Sequence, residues 1–133
     1  MQSLETERLE LVKALLAAFS QGDVERIRSL LTDDVVFHFP GQNNFSGNYK
    51  GKDAALGLLL RVNEWTGGKT RIRLHDVLAN DQHGVLLYTV TSSHGDREIS
   101  YRYINLYHFR ESQISEVWGV VQDCPEFDDF YSD

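Results

Sequence analysis

Apolar positions recur at two different periods along this chain, and the change of period divides it into a helical half and a strand half. Val12, Leu15, Leu16 and Phe19 follow the i, i+3, i+4, i+7 spacing of one helix face. That spacing predicts a helix over residues 4–20. Gly22 ends it, because glycine tolerates the left-handed conformation past a helix C-terminus, and Asp23 suits the cap of a following helix. The second helix carries Val24, Ile27, Leu30 and Leu31 on one side, and Asp33-Asp34 stops it. Val35 to Phe39 is β-branched and aromatic and reads as a strand. Pro40-Gly41 breaks it, and residues 41–51 read as a loop. A third helix is expected from about Asp53 to Trp65, with Ala55, Leu58, Leu59 and Val62 on its inner stripe and Gly67-Gly68 as its stop.

Beyond residue 70 the period is two. Thr70–Leu78, Val85–Ser93, Glu98–Phe109 and Ile114–Gln122 read as four strands joined by short polar turns. Helices first and a meander of strands afterwards define an α+β class, with three N-terminal helices on one face of an antiparallel sheet. Such a sheet twists strongly and curls into a cone whose wide end the helices close. No repeat, low-complexity tract or linker interrupts the pattern, so residues 1–133 are expected to form one domain.

Composition narrows the partners. The 133 residues carry a formal charge of −7, and the segment after Val121 holds Asp123, Glu126, Asp128, Asp129 and Asp133 with no Lys or Arg. Arg71, Arg73, Arg97 and Arg102 are spread along strands, so no basic stripe is offered to nucleic acid. An acidic chain is also repelled by anionic membranes. One cysteine, Cys124, excludes an internal disulfide. With no apolar signal core or membrane-length run, the expectation is a cytoplasmic protein.

The ordered set Phe19–Asp23, Asp33–Gly41, Gly47–Asp53, Gly67-Gly68, Leu74–Asp81 and Ile114–Trp118 resembles the nuclear transport factor 2-like superfamily. Within it the chain is most similar to the SnoaL-like polyketide cyclase and ketosteroid isomerase-like branch. The resemblance implies a single SnoaL-like domain with a pocket between helices and sheet. It does not fix the chemistry, because the fold hosts isomerases, cyclases, epoxide hydrolases, dehydratase-like enzymes and non-catalytic binding modules. The isomerase pattern implies an Asp base, a Tyr and a protonated Asp; those positions fall on Phe39, Leu15 and Asn105. The cyclase pattern implies a His and an Asp flanking the last-strand Trp; those positions are Val117 and Gly119. A Phe accepts no proton and a Leu donates no hydrogen bond, so neither mechanism transfers intact.

A residual polar set remains as catalytic candidates: His38, Asn105 and Asp123. Histidine exchanges a proton near neutral pH, but strict alternation sets His38 opposite Phe39, so a position on the sheet's other face competes with a catalytic one. Asn105 lies on one strand face with Tyr101, Tyr103 and Tyr107, where it can serve a ligand carbonyl or hold its neighbours. Asp123 ends the last strand on the Val117/Gly119 face; it is either a displaced base at the cavity mouth or a solvated tail carboxylate. The expected pocket wall comprises Leu15, Phe39, Trp65, Tyr88, Tyr101, Tyr103, Tyr107, Val117 and Gly119. Trp65 is placed there as a lid residue, with a core anchor as the alternative. The five His residues lack metal-ligand spacing, and no phosphate loop is present, so no metal or other cofactor is expected.

Three functional classes stay open. The first is a cofactor-independent isomerase, cyclase or lyase acting on a small apolar molecule. The second is a non-catalytic ligand-binding module, favoured by the apolar replacements at positions 15, 39, 117 and 119. The third is an interaction module. Ile104 and Leu106 oppose the Tyr face of their strand, and a strand apolar on both sides is normally covered on both. A homodimer through the sheet is therefore expected in every case.

Overall fold

The computed structural model describes residues 3–132. Helix α1 (Leu4–Gln21) starts where the Ser3 hydroxyl accepts from the Thr6 amide, and ends at Gly22, whose φ of 65° lets its N–H reach the carbonyls of Ala18 and Phe19. The Asp23 carboxylate caps α2 (Val24–Leu30) by accepting from the Arg26 amide at 3.1 Å. Helix α2 then passes into β1 (Leu31–Phe39) without an intervening turn.

The acidic pair at 33–34 was expected to end the helix. Instead it lies inside β1, which starts at Leu31 because Leu31 and Thr32 are buried. The pair sits where the register between β1 and β6 (Gln113–Val121) shifts, between Leu31 and Val36. Both acids point outward there. Lys52 is 3.3 Å from Asp33, and Arg110 is 2.9 Å from Asp34. The Arg110 hydrogen bond holds the Asp34 carboxyl below its ordinary range.

Residues 41–51 are not all loop. Gly47–Lys50 form β2, an edge strand paired antiparallel with β1 from Val36↔Lys50 to Phe39↔Gly47. Four residues without an apolar alternation give a sequence pattern nothing to detect. Helix α3 (Lys52–Trp65) follows, then β3 (Arg71–Ala79), β4 (His83–His94), β5 (Arg97–Arg110) and β6. The sheet order is β2-β1-β6-β5-β4-β3. Every neighbouring pair is antiparallel except β1 and β6, which run parallel. A parallel pair needs a long crossover, and here α3 and β2–β5 all intervene.

The acidic C-terminal segment, to which the sequence pattern assigned no element, folds into a fourth helix, α4 (Cys124–Phe130). Phe127, Phe130 and the following Tyr131 are 0%, 2% and 1% exposed. The three aromatics recur at i, i+3, i+4, and that face docks on the sheet while Glu126 and Asp129 stay in water. Burying three such rings contributes roughly 1.5–3 kcal/mol each, enough to order a seven-residue helix that could not stand alone.

The core lies between the sheet's inner face and the helices. Val12, Leu15 and Ala18 of α1 and Ala55, Leu56 and Leu58 of α3 are buried with Leu86, Tyr88 and Val90 of β4 and Tyr103 and Tyr107 of β5. Burial along β4 alternates residue by residue, as period two requires. On the outer face Ile104 pairs with Val120 and Leu106 with Trp118 across β5 and β6.

Candidate functional site

The sheet's inner face and the helices enclose a cavity of about 190 Å³. Leu15 of α1, Phe39 of β1, Tyr88 of β4, Tyr101, Tyr103, Asn105 and Tyr107 of β5, and Val117 and Gly119 of β6 line it. The register explains the convergence. Tyr88 lies opposite Tyr103, and Asn105 lies between Leu86 and Gly119 on its two neighbouring strands. Phe37, Leu58, Leu86, Val90 and Tyr131 also belong to the wall. The period-two pattern contained Leu86 and Val90; Tyr131 was hidden in the apparent tail.

Asn105 Nδ2 donates to Tyr88 Oη at 2.9 Å and to Tyr107 Oη at 3.1 Å. Both amide hydrogens are thereby used, so Asn105 does not donate to a ligand, as its candidate role required. It positions two phenols. Each phenol oxygen already accepts from the amide, which leaves each O–H free to donate to another acceptor. Burial, followed by the neighbouring phenols Tyr103 and Tyr107, pushes the Tyr88 hydroxyl well above its ordinary 10.0. Burial also raises Tyr107 and Tyr103. These groups stay protonated donors at neutral pH. Tyr101 and Tyr131 hydrogen-bond to one another at 2.8 Å and are raised by the same cause.

Gly119 makes room for Tyr103. A Cβ at position 119 would stand 1.9 Å from Tyr103 Oη and 2.7 Å from its Cζ. The position that the cyclase resemblance assigns to an acid–base side chain is occupied here by a phenol reaching across from β5.

Two catalytic candidates lie elsewhere. The backbone of β1 passes the cavity, but the His38 ring is on the outer face. Its Nδ1 is 2.6 Å from Asn48 Oδ1, its Nε2 is 2.5 Å from Glu116 Oε2, and it stacks on Trp118 at 5.2 Å. Phe37 and Phe39 on either side take the inward places, as strand alternation dictates. Asp123 is exposed at the head of α4, where the chain has already turned away from β6. Trp65 also leaves the pocket. Its ring stacks on His94 at 3.6 Å and 3°, and its carbonyl is 2.8 Å from His94 Nδ1. His94, the last residue of β4, thus pins the end of α3, and Trp65 is an anchor instead of a lid. Among the described residues no group of His, Cys, Asp and Glu is arranged to hold a metal ion.

Apart from the His38 position, whose ring turns outward, the lining offers phenols, one amide, a threonine and hydrocarbon, with no carboxylate or amine among the described residues. It can donate hydrogen bonds to an oxygen in an apolar setting, where such bonds are stronger than in water. A wide groove adjoins the cavity on the side of α2, α3 and β3.

A curved α+β sheet closed by helices over a pocket is the architecture of the nuclear transport factor 2-like class. Residues 12–117 match the model of the SnoaL-like domain, and the chain belongs to that family. An uncharacterized protein of Mycobacterium tuberculosis is 27% identical over 125 residues, 93% of this chain and 95% of that protein. Bal32a, from a soil-derived mobile gene cassette, superposes with a TM-score of 0.93 at 22% identity, over 97% of this chain and 99% of that one. A candidate SnoaL-like polyketide cyclase from Jannaschia superposes with a TM-score of 0.84 at 14% identity, over 99% and 96% of the two chains. At these identities the two structures establish the shared fold alone. No helix among the described residues is long and apolar enough to cross a membrane.

Proposed function

We propose that this chain binds a small, largely apolar molecule carrying one acceptor oxygen, and that Tyr88 and Tyr107 hold that oxygen. The observation that carries the reading is the Asn105 amide shared between the two phenols, which aims both hydroxyl hydrogens away from itself in a wall made mostly of hydrocarbon and aromatic rings. Calorimetric titration with 4-methylcyclohexanone tests it. Each neutral hydrogen bond contributes about 0.5–1.5 kcal/mol, so the double variant Tyr88→Phe/Tyr107→Phe is expected to bind about 5- to 150-fold more weakly. Equal affinity in the two proteins would overturn the reading.

A catalytic version has one specific support. Phenols kept neutral by burial are suitable partners for an enolate oxygen; the α-proton would pass to water or hydroxide from solvent, since the cavity lining offers no carboxylate or amine. Exchange of the bound ketone's α-hydrogens with deuterated solvent, followed by NMR, separates it from retention without turnover.

We also propose that a second copy of this chain covers the outer sheet face. Ile104 and Val120 sit side by side there, 38% and 50% exposed. Glu116 on the same face lies beside His38 and His108. Of a chain charged −7 overall, this patch leaves little negative charge to keep two copies apart. A dimer by light scattering, turned monomeric by Val120→Asp, is expected; a monomer at micromolar concentration refutes it.

A further inference from the structure

We propose that the cavity and the neighbouring groove hold a single ligand: an oxygenated ring at the deep end, and an unbranched apolar tail running outward between α2, α3 and β3. This rests on the reading that Tyr88 and Tyr107 hold the ring's oxygen. Two volumes carry the inference. The cavity measures about 190 Å³ and the groove about 710 Å³. An apolar cavity of ~150 Å³ accepts one benzene ring, so the inner chamber has room for one ring and its substituent oxygen, and a fused polycycle would not enter it.

The two spaces adjoin. Phe19, Phe39, Leu59, Val62, Thr70 and Ile72 line both, whereas Tyr88, Asn105 and Tyr107 line only the chamber. The hydrogen-bonding end is therefore the end away from the groove. A ring seated with its oxygen on the two phenols presents its opposite carbon to the side that the two spaces share. On that side the groove meets Val24 and Leu60, which are 38% and 55% exposed, with Ile72 at 42%. Exposed Ser20, Gln21 and Asn63 border it as well. Apolar side chains left in water around the mouth of an apolar chamber suit an extended hydrocarbon, which would cover them on binding. A ligand confined to the chamber would leave them bare.

The 4-alkylcyclohexanones from methyl to hexyl provide the test, by calorimetric titration of the full chain. The carbonyl fixes the head, and the alkyl group explores the groove. Each methylene that leaves water is expected to tighten binding about fourfold until the chain outruns the groove. In Val24→Ser/Leu60→Ser, two exposed positions that do not line the chamber, the gain per methylene shrinks while the methyl member binds as before. A flat series in which Tyr88→Phe/Tyr107→Phe still weakens binding overturns the two-part site and leaves the head-group reading intact. A steep series insensitive to Val24→Ser/Leu60→Ser also overturns it, by placing the tail elsewhere. Affinities unchanged by Tyr88→Phe/Tyr107→Phe bring down the head-group reading and the inference together.

Discussion

Adding one methyl group at Gly119 is expected to disturb both the stability and the site of this protein. An alanine Cβ there would lie 1.9 Å from Tyr103 Oη, 2.7 Å from its Cζ and 3.1 Å from Pro40 Cδ. Carbon atoms pack best at about 3.5–4.0 Å, so the phenol must retreat by more than an ångström. It has little freedom to do so. Its ring is packed among those of Tyr88, Tyr101 and Phe127, with centroids 5.6, 5.9 and 6.1 Å away. Overpacking of this kind costs about 1–3 kcal/mol. For a domain of this size that corresponds to a melting temperature lower by roughly 3–12 °C, readable by circular dichroism. Tyr103→Phe removes the nearest atom and leaves Cζ in place, so Tyr103→Phe/Gly119→Ala should recover part of the loss. A double-mutant cycle with Tyr103→Val should give a coupling of about 1 kcal/mol or more, since the two side chains compete for one space. Wild-type melting in Gly119→Ala, with no coupling to residue 103, would refute the claim that the phenol fills the place of the missing side chain.

Three further outcomes are expected. Phe127→Ala should cost about 3–5 kcal/mol in urea unfolding, because the ring is fully buried and fastens α4 to the sheet; a loss below 1 kcal/mol would mean the helix is an appendage. Tyr88, Tyr101, Tyr103, Tyr107 and Tyr131 have hydroxyls raised above 10.0 by burial, whereas in the unfolded chain they ionise near 10. The folded state then holds more protons above pH 10, so stability is full below that pH and falls as pH rises beyond it. Thermal melts from pH 8 to 11.5 should show this, with phenolate absorbance from these five appearing only on unfolding. His38→Gln should leave 4-methylcyclohexanone affinity unchanged, since the ring lies outside the cavity; a tenfold loss would put the imidazole in the site.

Much of the architecture was readable because long amphipathic stretches repeat their period several times. α1, α3 and the alternation of β4 and β5 each supply enough repeats to define a face. The strand face Tyr101-Tyr103-Asn105-Tyr107 was legible for the same reason, and all four residues border the cavity. What escaped were features set by tertiary contact. The strand β2 has four residues and owes its form to pairing with β1. Helix α4 looks acidic in composition, and only the sheet reveals what its three aromatics bury. The partners of Asn105 could not be read either, because an amide among tyrosines suits a ligand as well as two neighbouring hydroxyls. Nothing in the sequence joins His94 to Trp65, 29 residues away, yet their ring contact holds the end of α3. The glycine at 119 reads as a lost functional group in sequence; the structure shows the phenol that takes its space.

The central claim concerns hydrogens, and the infrared carbonyl stretch of bound 4-methylcyclohexanone reports on them directly. With Tyr88 and Tyr107 both donating, the band is predicted well below its position in hexane, moving back up in each single Tyr→Phe variant and further in the double. A bound ketone whose band coincides with the hexane value in the wild-type protein would show an oxygen without donors, and would contradict the account.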